Sequence, residues 1–311
     1  MIAKGASNEF EGARASLAGP SDYLALLKPR VMSLVIFTAL AAMIAAPGQV
    51  HPVIAAISLL CVAVGAGASG ALNQWFDADI DAIMTRTRSR PVPAGLISRQ
   101  SALEFGATLS LFSVMAMAFL VGYVPAAILA FTIAFYIFVY TMWLKRSTVH
   151  NIVIGGAAGA LPPVIGWATV TGHAFDPAAW SLFLLIFLWT PPHFWALALA
   201  GSEDYARAKV PMLPVVSGAR VTKNQILFYT FLMAASAVAP FALGWFGPVY
   251  GVTAIVLSLV FIAASFALWR TPEATQRATA MKLFAFSIFY LFALFTALAV
   301  DRLTGFSPLA S

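Results

Sequence analysis

Residues 52–75 read PVIAAISLLCVAVGAGASGALNQW, twenty-four residues without a charge, and FDADID follows at 76–81. A bilayer core takes about 20 apolar residues of helix, so the run predicts a membrane span that ends in an acidic cluster. Working outward, eight further stretches qualify: 29–47, 102–121, 124–143, 151–170, 179–200, 224–246, 249–269 and 281–300. Alternating apolar and polar strands are absent, so the expectation is an all-α polytopic membrane protein with nine transmembrane helices in a bundle. Turn signals at Pro47-Gly48, Gly122 to Pro125, Gly172 to Pro177 and Gly247-Pro248 support the cuts.

Composition agrees. The chain is 61% hydrophobic and 10% charged, whereas a soluble domain carries about 25% charged residues. Those figures exclude a soluble globular protein and a disordered one. Cys61 is the single cysteine, which excludes a disulfide framework and a cysteine metal cluster. A net charge of +6 invites a nucleic-acid reading. The basic residues, however, sit in short clusters between apolar runs, and no nucleic-acid partner is expected.

Those clusters set an orientation. Lys4, Arg14, Lys28 and Arg30 precede the first span, and Arg86, Arg88, Arg90 and Arg99 separate the second and third. Lys145 and Arg146 follow the fourth, Arg207, Lys209, Arg220 and Lys223 follow the sixth, and Arg270, Arg277 and Lys282 follow the eighth. Seventeen of eighteen basic residues thus fall on one side, with Arg302 alone on the other. The positive-inside rule puts the N-terminus in the cytoplasm and the C-terminus outside. Residues 1–22 form a polar segment, and 23–311 a single transmembrane domain. With Glu9 and Glu11 beside Lys4 and Arg14, the N-terminus has neither signal-peptide nor transit-peptide character. This favours a bacterial plasma (inner) membrane, with the long loops 76–101 and 201–223 on its cytoplasmic face.

Chemistry is expected in those loops. Asn73, Asp77 and Asp81 are four residues apart, so a continuing helix aligns them in one stripe, while Asp79 points elsewhere. Two carboxylates at that spacing, at a membrane boundary and at the negative end of a helix dipole, need a compensating cation. Oxygen ligands suit Mg²⁺, which takes one or two carboxylates, waters and substrate phosphates. Arg86, Arg88 and Arg90 follow at alternate positions. They either clamp a diphosphate through bidentate pairing or anchor the loop to lipid headgroups. The second loop echoes the first with Glu203, Asp204, Tyr205, Arg207, Lys209 and Pro211-Met-Leu-Pro214. Lys145 and Arg146, after Tyr140, either add phosphate contacts or anchor their helix. A Mg²⁺–diphosphate site opening into an apolar bundle suggests prenyl transfer, in which departing pyrophosphate is stabilised electrostatically. No P-loop, dinucleotide fingerprint, serine elbow or zinc-type spacing is evident.

Asn73-x-x-x-Asp77-x-x-x-Asp81, nine spans and an acidic loop after the sixth resemble the UbiA-type intramembrane prenyltransferases. Further stretches resemble the heme O synthase (protoheme IX farnesyltransferase) branch: Arg86-Thr, Arg90-Pro-Val-Pro-Ala-Gly95, Tyr140-Thr-Met-Trp-Leu-Lys145, Asn151 to Gly156, Gly159 to Pro163, Thr190-Pro-Pro-His193-Phe-Trp195, Glu203-Asp204-Tyr205 and Val210 to Pro214. The resemblance covers about residues 23–300. It implies transfer of farnesyl from farnesyl diphosphate to the 2-vinyl group of protoheme IX, with heme as substrate and a heme A synthase as the consumer of the product. Carried over, Asn73, Asp77, Asp81 and Asp204 are the candidate Mg²⁺ ligands. Arg86, Arg90, Lys145, Arg146, Tyr140 and Lys209 are the candidate substrate-binding residues. The sequence departs from the pattern in two places. Its second motif has only the Glu203-Asp204 pair, and Tyr140 to Lys145 is one residue longer than the usual Tyr-x-x-x-Lys.

His51, His150 and His173 lie in loops or at a helix end and read as incidental. His193 lies inside an apolar span after Pro191-Pro192, so it is a functional candidate. It either ligates heme iron or acts as an acid/base, or it satisfies carbonyls freed by the prolines. Trp167, Trp189 and Trp195 read foremost as core, with porphyrin stacking or cation–π stabilisation of a carbocation as the alternative. Rival readings are a prenyltransferase with a quinone-precursor or chlorophyllide acceptor, and a secondary transporter, whose ionisable residues belong near mid-membrane.

Overall fold

The computed structural model describes residues 18–305, apart from the side chains of residues 30 and 31. Lys4, Arg14, most of the polar segment 1–22 and the Arg30 side chain therefore lie outside the described residues. Among the described residues every regular element is helical. Eight helical stretches are long and apolar enough to cross a membrane, and a shorter apolar one covers Met32–Ala45.

The chain opens with α1 (Pro20–Leu26) and α2 (Pro29–Ala45), then α3 (Pro52–Phe76), the short α4 (Ala78–Ile83) and α5 (Arg99–Leu120). Helix α6 (Tyr123–Ala134) runs without a break into a wider-wound π segment, Phe135–Leu144, and a last turn, Lys145–Ser147. The span expected at 151–170 is two helices, α7 (Asn151–Ala160) and α8 (Pro162–Thr171). They meet at Leu161 because Pro162 and Pro163 bring no N–H to the ladder. Next come α9 (Pro177–Ala200), α10 (Ser202–Arg207), α11 (Leu213–Val216), α12 (Gly218–Ala242), α13 (Pro248–Arg270) and α14 (Gln276–Leu303).

Proline opens α2, α3, α9 and α13, where its fixed φ suits a first turn and its missing N–H costs nothing. Gly172 ends α8 with φ 73°, a conformation that favours glycine. The loops 76–101 and 201–223 prove partly helical. Apolar runs mark only the part of a helix that lipid requires. Capping carries α5 three residues beyond its expected start, with Ser98 Oγ accepting the Ser101 N–H at 2.9 Å.

In the bundle α3 lies along α5, and α2 packs on α8 and α14. Helix α9 touches α7, α12 and α14, and so sits at the centre of the second half. Phe37 on α2 stacks on Phe292 of α14 at 4.5 Å, tying the first long helix to the last. The largest buried cluster runs through this half, from Trp167, Leu182 and Trp195 to Phe261, Tyr290 and Phe295. Gly166 permits the closest crossing: a Cβ there would collide with the Ala39 carbonyl.

Candidate active site

The acidic stripe forms as its spacing predicts. Helix α3 ends at Phe76 and α4 begins at Ala78, but two bonds of helical spacing bridge the junction, from Asp77 N–H to Asn73 O at 2.9 Å and from Asp81 N–H to Asp77 O at 2.8 Å. Asn73, Asp77 and Asp81 are buried together, Asp77 completely. Asp79 points away and is 55% exposed.

Buried carboxylates demand partners, and cations from two other parts of the chain supply them, with a third cation on the neighbouring Asn73. Lys145 donates to Asp77 Oδ2, which also takes the Asn73 amide at 2.7 Å. Arg146 reaches Asp77 Oδ1 at 3.3 Å, grips Asp79 at 2.7 and 2.8 Å, and lies over the Phe76 ring. Its hydrogen bonds hold the Asp79 carboxyl at about 2. Arg90 donates to Asp81 Oδ2 at 2.6 Å. Lys28, the last residue before α2, donates to Asn73 Oδ1 at 2.8 Å from a left-handed conformation with φ 53°. Burial, followed by the neighbouring Arg90 and Lys145 charges, pulls its ammonium down to about 7. Thr141 Oγ1 accepts the Asn73 amide at 3.3 Å and closes the cluster.

The π segment explains the unusual Tyr140–Lys145 spacing. The Lys145 N–H bonds to Tyr140 O, five residues back. One turn is thus one residue longer than in an α-helix, and such bulges cluster at functional sites. Tyr140 and Tyr136 lie 5.3 Å apart beside Asp77, and the Tyr140 ring sits where any side chain at residue 155 would be.

The two charged segments meet. Asp204 accepts the backbone N–H groups of Thr85 at 3.3 Å and Arg86 at 3.4 Å, and pairs with Arg207. Arg207 also donates to Thr85 Oγ1 at 2.9 Å, and Arg86 to the Tyr205 hydroxyl at 3.3 Å. Burial pulls the Asp204 carboxyl up, but its hydrogen bonds with Thr85 and Arg86 outweigh that and hold it below the usual carboxylate range. Arg88 and Lys209 are exposed and stand outside this cluster.

His193 lies elsewhere in the fold, on α9 facing α14, stacked between Trp189 at 4.2 Å and Phe284 at 4.6 Å. Its Nδ1 meets Ser287 Oγ at 2.6 Å, while Ser287 Oγ donates to Phe284 O at 2.6 Å. A hydroxyl has one proton. His193 is therefore the donor through Nδ1, and its Nε2 keeps the lone pair. Its partner is Ser287, and not the carbonyls freed by the prolines. His51 caps α3, accepting the Val53 N–H at 3.3 Å, and His150 and His173 are exposed. Trp167, Trp189 and Trp195 are all buried in the core.

Thr141 and Lys28 are the members of the Asn73–Asp77–Asp81 cluster that the sequence reading missed as site residues, and Lys28 is the cation of the two. It was legible only as a positive charge; that it reaches a helix whose asparagine lies 45 positions on is tertiary information. The donor set fits a hard cation: Asn73, Asp77, Asp81 and Thr141 offer oxygen alone. Among the described residues no three His, Cys, Asp or Glu side chains converge as a metal cage. A Mg²⁺ ion here therefore needs waters and a substrate's phosphate oxygens to complete its shell.

Known proteins share both the fold and the sequence. A structure of digeranylgeranylglyceryl phosphate synthase superposes with a TM-score of 0.75 at 20% identity, covering 91% of this chain and 98% of that one. A UbiA homolog from Archaeoglobus fulgidus bound to GPP and Mg²⁺ gives 0.67 at 17% identity, covering 88% and 99%. The protoheme IX farnesyltransferase of Rhizobium rhizogenes is 59% identical over 93% of this chain and 91% of its own length. That of Rhodopseudomonas palustris is 58% identical over 93% and 92%. The family model for the UbiA prenyltransferase family matches residues 34–298, and the chain belongs to that family.

Proposed function

We propose that this chain transfers the farnesyl group of farnesyl diphosphate to the 2-vinyl group of protoheme IX, giving heme O. The observation that carries the chemistry is the buried Asn73–Asp77–Asp81 stripe, ringed by Lys28, Arg90, Lys145 and Arg146 at one end of an apolar bundle. The acceptor rests on the relatives named protoheme IX farnesyltransferase.

Asn73, Asp77 and Asp81 would hold Mg²⁺, which when bound neutralises diphosphate charge as the allylic C–O bond breaks. Lys145 and Arg90, already at the carboxylates, turn to the diphosphate oxygens, and Lys28, Arg86 and Arg146 stand in reach of the same anion. Guanidinium and ammonium groups already gathered at the half-buried site need only that short turn to stabilise the charge gathering on the leaving group. Tyr140 and Tyr136 wall the path of the prenyl chain, and exclusion of bulk water there favours capture by the vinyl carbon over early hydrolysis. Water then quenches the new cation on the porphyrin side to give the hydroxyethylfarnesyl group. His193, with its Nε2 lone pair in the apolar interior, is the candidate ligand for heme iron.

The chain is one transmembrane unit of nine spans, with α2, about 25 Å long, as the shortest. Its charged end faces the cytoplasm of a bacterial inner membrane, and a heme A synthase takes the product. A carrier would set its ionisable groups at mid-depth, whereas here the ion pairs gather at one end. The test is a reaction of the purified protein in detergent with farnesyl diphosphate, protoheme and Mg²⁺, read by mass spectrometry of the extracted hemes. Heme O is expected, and EDTA should abolish it. Prenylation of a quinone precursor instead would move the acceptor, and no product from any acceptor would end the prenyl-transfer reading.

A further inference from the structure

We propose that Asp204 and Arg207 form a strap that positions the arginine-bearing turn at 84–90, and that Asp204 is not a metal ligand in this chain. What the turn binds rests on the prenyl-diphosphate reading above.

Three of the roughly four acceptor sites of the Asp204 carboxylate are already in use. Its Oδ1 takes the Thr85 N–H at 3.3 Å and the Arg207 guanidinium, and its Oδ2 takes the Arg86 N–H at 3.4 Å. A carboxylate facing two successive backbone N–H groups fixes the direction in which the chain leaves them. Arg207 adds a second tie from the same short helix, donating to Thr85 Oγ1 at 2.9 Å. Tyr205 adds a third, accepting from the Arg86 guanidinium at 3.3 Å. Three consecutive-turn residues of α10 thus hold one dipeptide 118 to 122 positions away.

The turn passes that placement on. Arg88 N–H bonds to Met84 O at 3.0 Å and Arg90 N–H to Thr87 O at 3.0 Å, while Thr87 Oγ1 bonds to Asp81 O at 2.9 Å. At its end Arg90 meets Asp81 at 2.6 Å. Joined by the backbone of the turn itself, these hydrogen bonds connect Asp204 to the first acidic motif, and their product is the location of Arg86 and Arg90. Two of its donors are backbone N–H groups, which cannot swing to a substrate's phosphates as the Lys145 and Arg90 side chains at Asp77 and Asp81 can, so coordination by Asp204 would compete with the fixing of the turn. The absence of a second, spaced aspartate beside Asp204 agrees: position 208, four residues on, is a buried alanine. Asp204 is accordingly a positioning residue, acting on the diphosphate through Arg86 and Arg90.

The test uses full-length protein in detergent, with Mn²⁺ as the metal probe and inorganic pyrophosphate as the anion. Electron paramagnetic resonance counts bound Mn²⁺, and calorimetry gives pyrophosphate affinity at saturating Mn²⁺. Asp204→Asn should keep Mn²⁺ stoichiometry and affinity within about twofold of the parent, where Asp77→Asn loses binding, yet weaken pyrophosphate about tenfold. Arg207→Gln, at an exposed position, should weaken pyrophosphate similarly, and the double variant little further, because both act through one strap. It also keeps the question decidable if Asp204→Asn fails to fold. In turnover both variants should raise the KM for farnesyl diphosphate about tenfold with kcat within about threefold. Loss of Mn²⁺ binding in Asp204→Asn to the level of Asp77→Asn would overturn the proposal, and so would unchanged pyrophosphate affinity in both variants. If the parent protein forms no prenylated heme but the binding pattern holds, the strap stands and the functional reading falls.

Discussion

Asp77 receives three donors at once, from Asn73, Lys145 and Arg146, and is wholly buried. An ionised group so placed is held by its partners, and those partners are the groups a diphosphate would recruit. Asp77→Asn keeps the shape and removes the charge. Turnover should fall at least about a hundredfold, as for loss of a principal electrostatic contact, with the helical circular-dichroism spectrum retained; full activity would remove the stripe from the mechanism. Asp79, two residues on, serves as a contrast. Its carboxyl is held at about 2 by Arg146, against an ordinary 3.8. A depressed folded-state value means that the pair's contribution is complete above the ordinary range and fades as pH falls from about 4 to 2. Because Asp79 is 55% exposed, that contribution is under about 1 kcal/mol. Asp79→Ala should lower stability by that small amount at pH 7, and the gap should close at pH 2, as followed by thermal unfolding in detergent. The carboxylates were legible residue by residue, because charge at the end of an apolar run is costly wherever the helix packs. Their cations were legible only as charges, since Lys28, Arg90 and Lys145 come from three separate segments.

Elements explain what single residues do not. On an α-helix, residues five apart lie about 140° around the axis from each other, which would turn Tyr140 away from Lys145. Winding by i→i+5 hydrogen bonds brings that angle to roughly 50°, so the tyrosine and the lysine share a face. Phe138 and Trp143, also five apart, are both exposed on the opposite face. A spacing that departs from the family pattern by one residue is thereby absorbed by the wider turn. The sequence alone shows the extra residue without its remedy, because π winding has no composition signal. Gly155 on α7 completes the arrangement, its bare Cα leaving room for the Tyr140 ring. Gly155→Val should displace that ring, cut kcat/KM for farnesyl diphosphate at least about tenfold and cost about 1–3 kcal/mol through overpacking. Gly159→Ala, four residues along the same helix with open space at its Cβ, should leave both unchanged. Equal effects from the two would dissociate the tyrosine from the site. The long apolar helices were legible from length and apolar content; the short helices of the charged loops and the helix ends were not. The caps at Ser98 and His51 depend on single hydrogen bonds, and the Leu161 break on the missing N–H groups of Pro162 and Pro163, neither of which hydropathy registers.

At the scale of the whole molecule, one asymmetry organises everything described. The ion pairs of Asp77, Asp79, Asp81 and Asp204 all lie at the end of the bundle where the basic clusters gather. The opposite end holds short turns such as 172–176. On the proposed function, the charges that would bind an anionic substrate are also those that the positive-inside rule would hold on the cytoplasmic side, so orientation and catalysis would draw on one set of residues. This was the most legible property of the sequence, since a count of Lys and Arg between apolar runs needs no packing to be known. It is also directly measurable. Cys61 is the only cysteine and is buried, so the parent should stay silent toward a membrane-impermeant maleimide. Single cysteines can then report each end: Ser89→Cys within the arginine turn and His173→Cys in the turn before α9, both at exposed positions. In intact cells His173→Cys should label and Ser89→Cys should not, and permeabilisation should bring Ser89→Cys to the same level. The reverse pattern would place the diphosphate site on the outer face, away from the cytosolic supply of prenyl diphosphate. Labelling of both in intact cells would mean that an even number of spans separates the two loops, where the nine-span topology sets three between them, and that topology would fail.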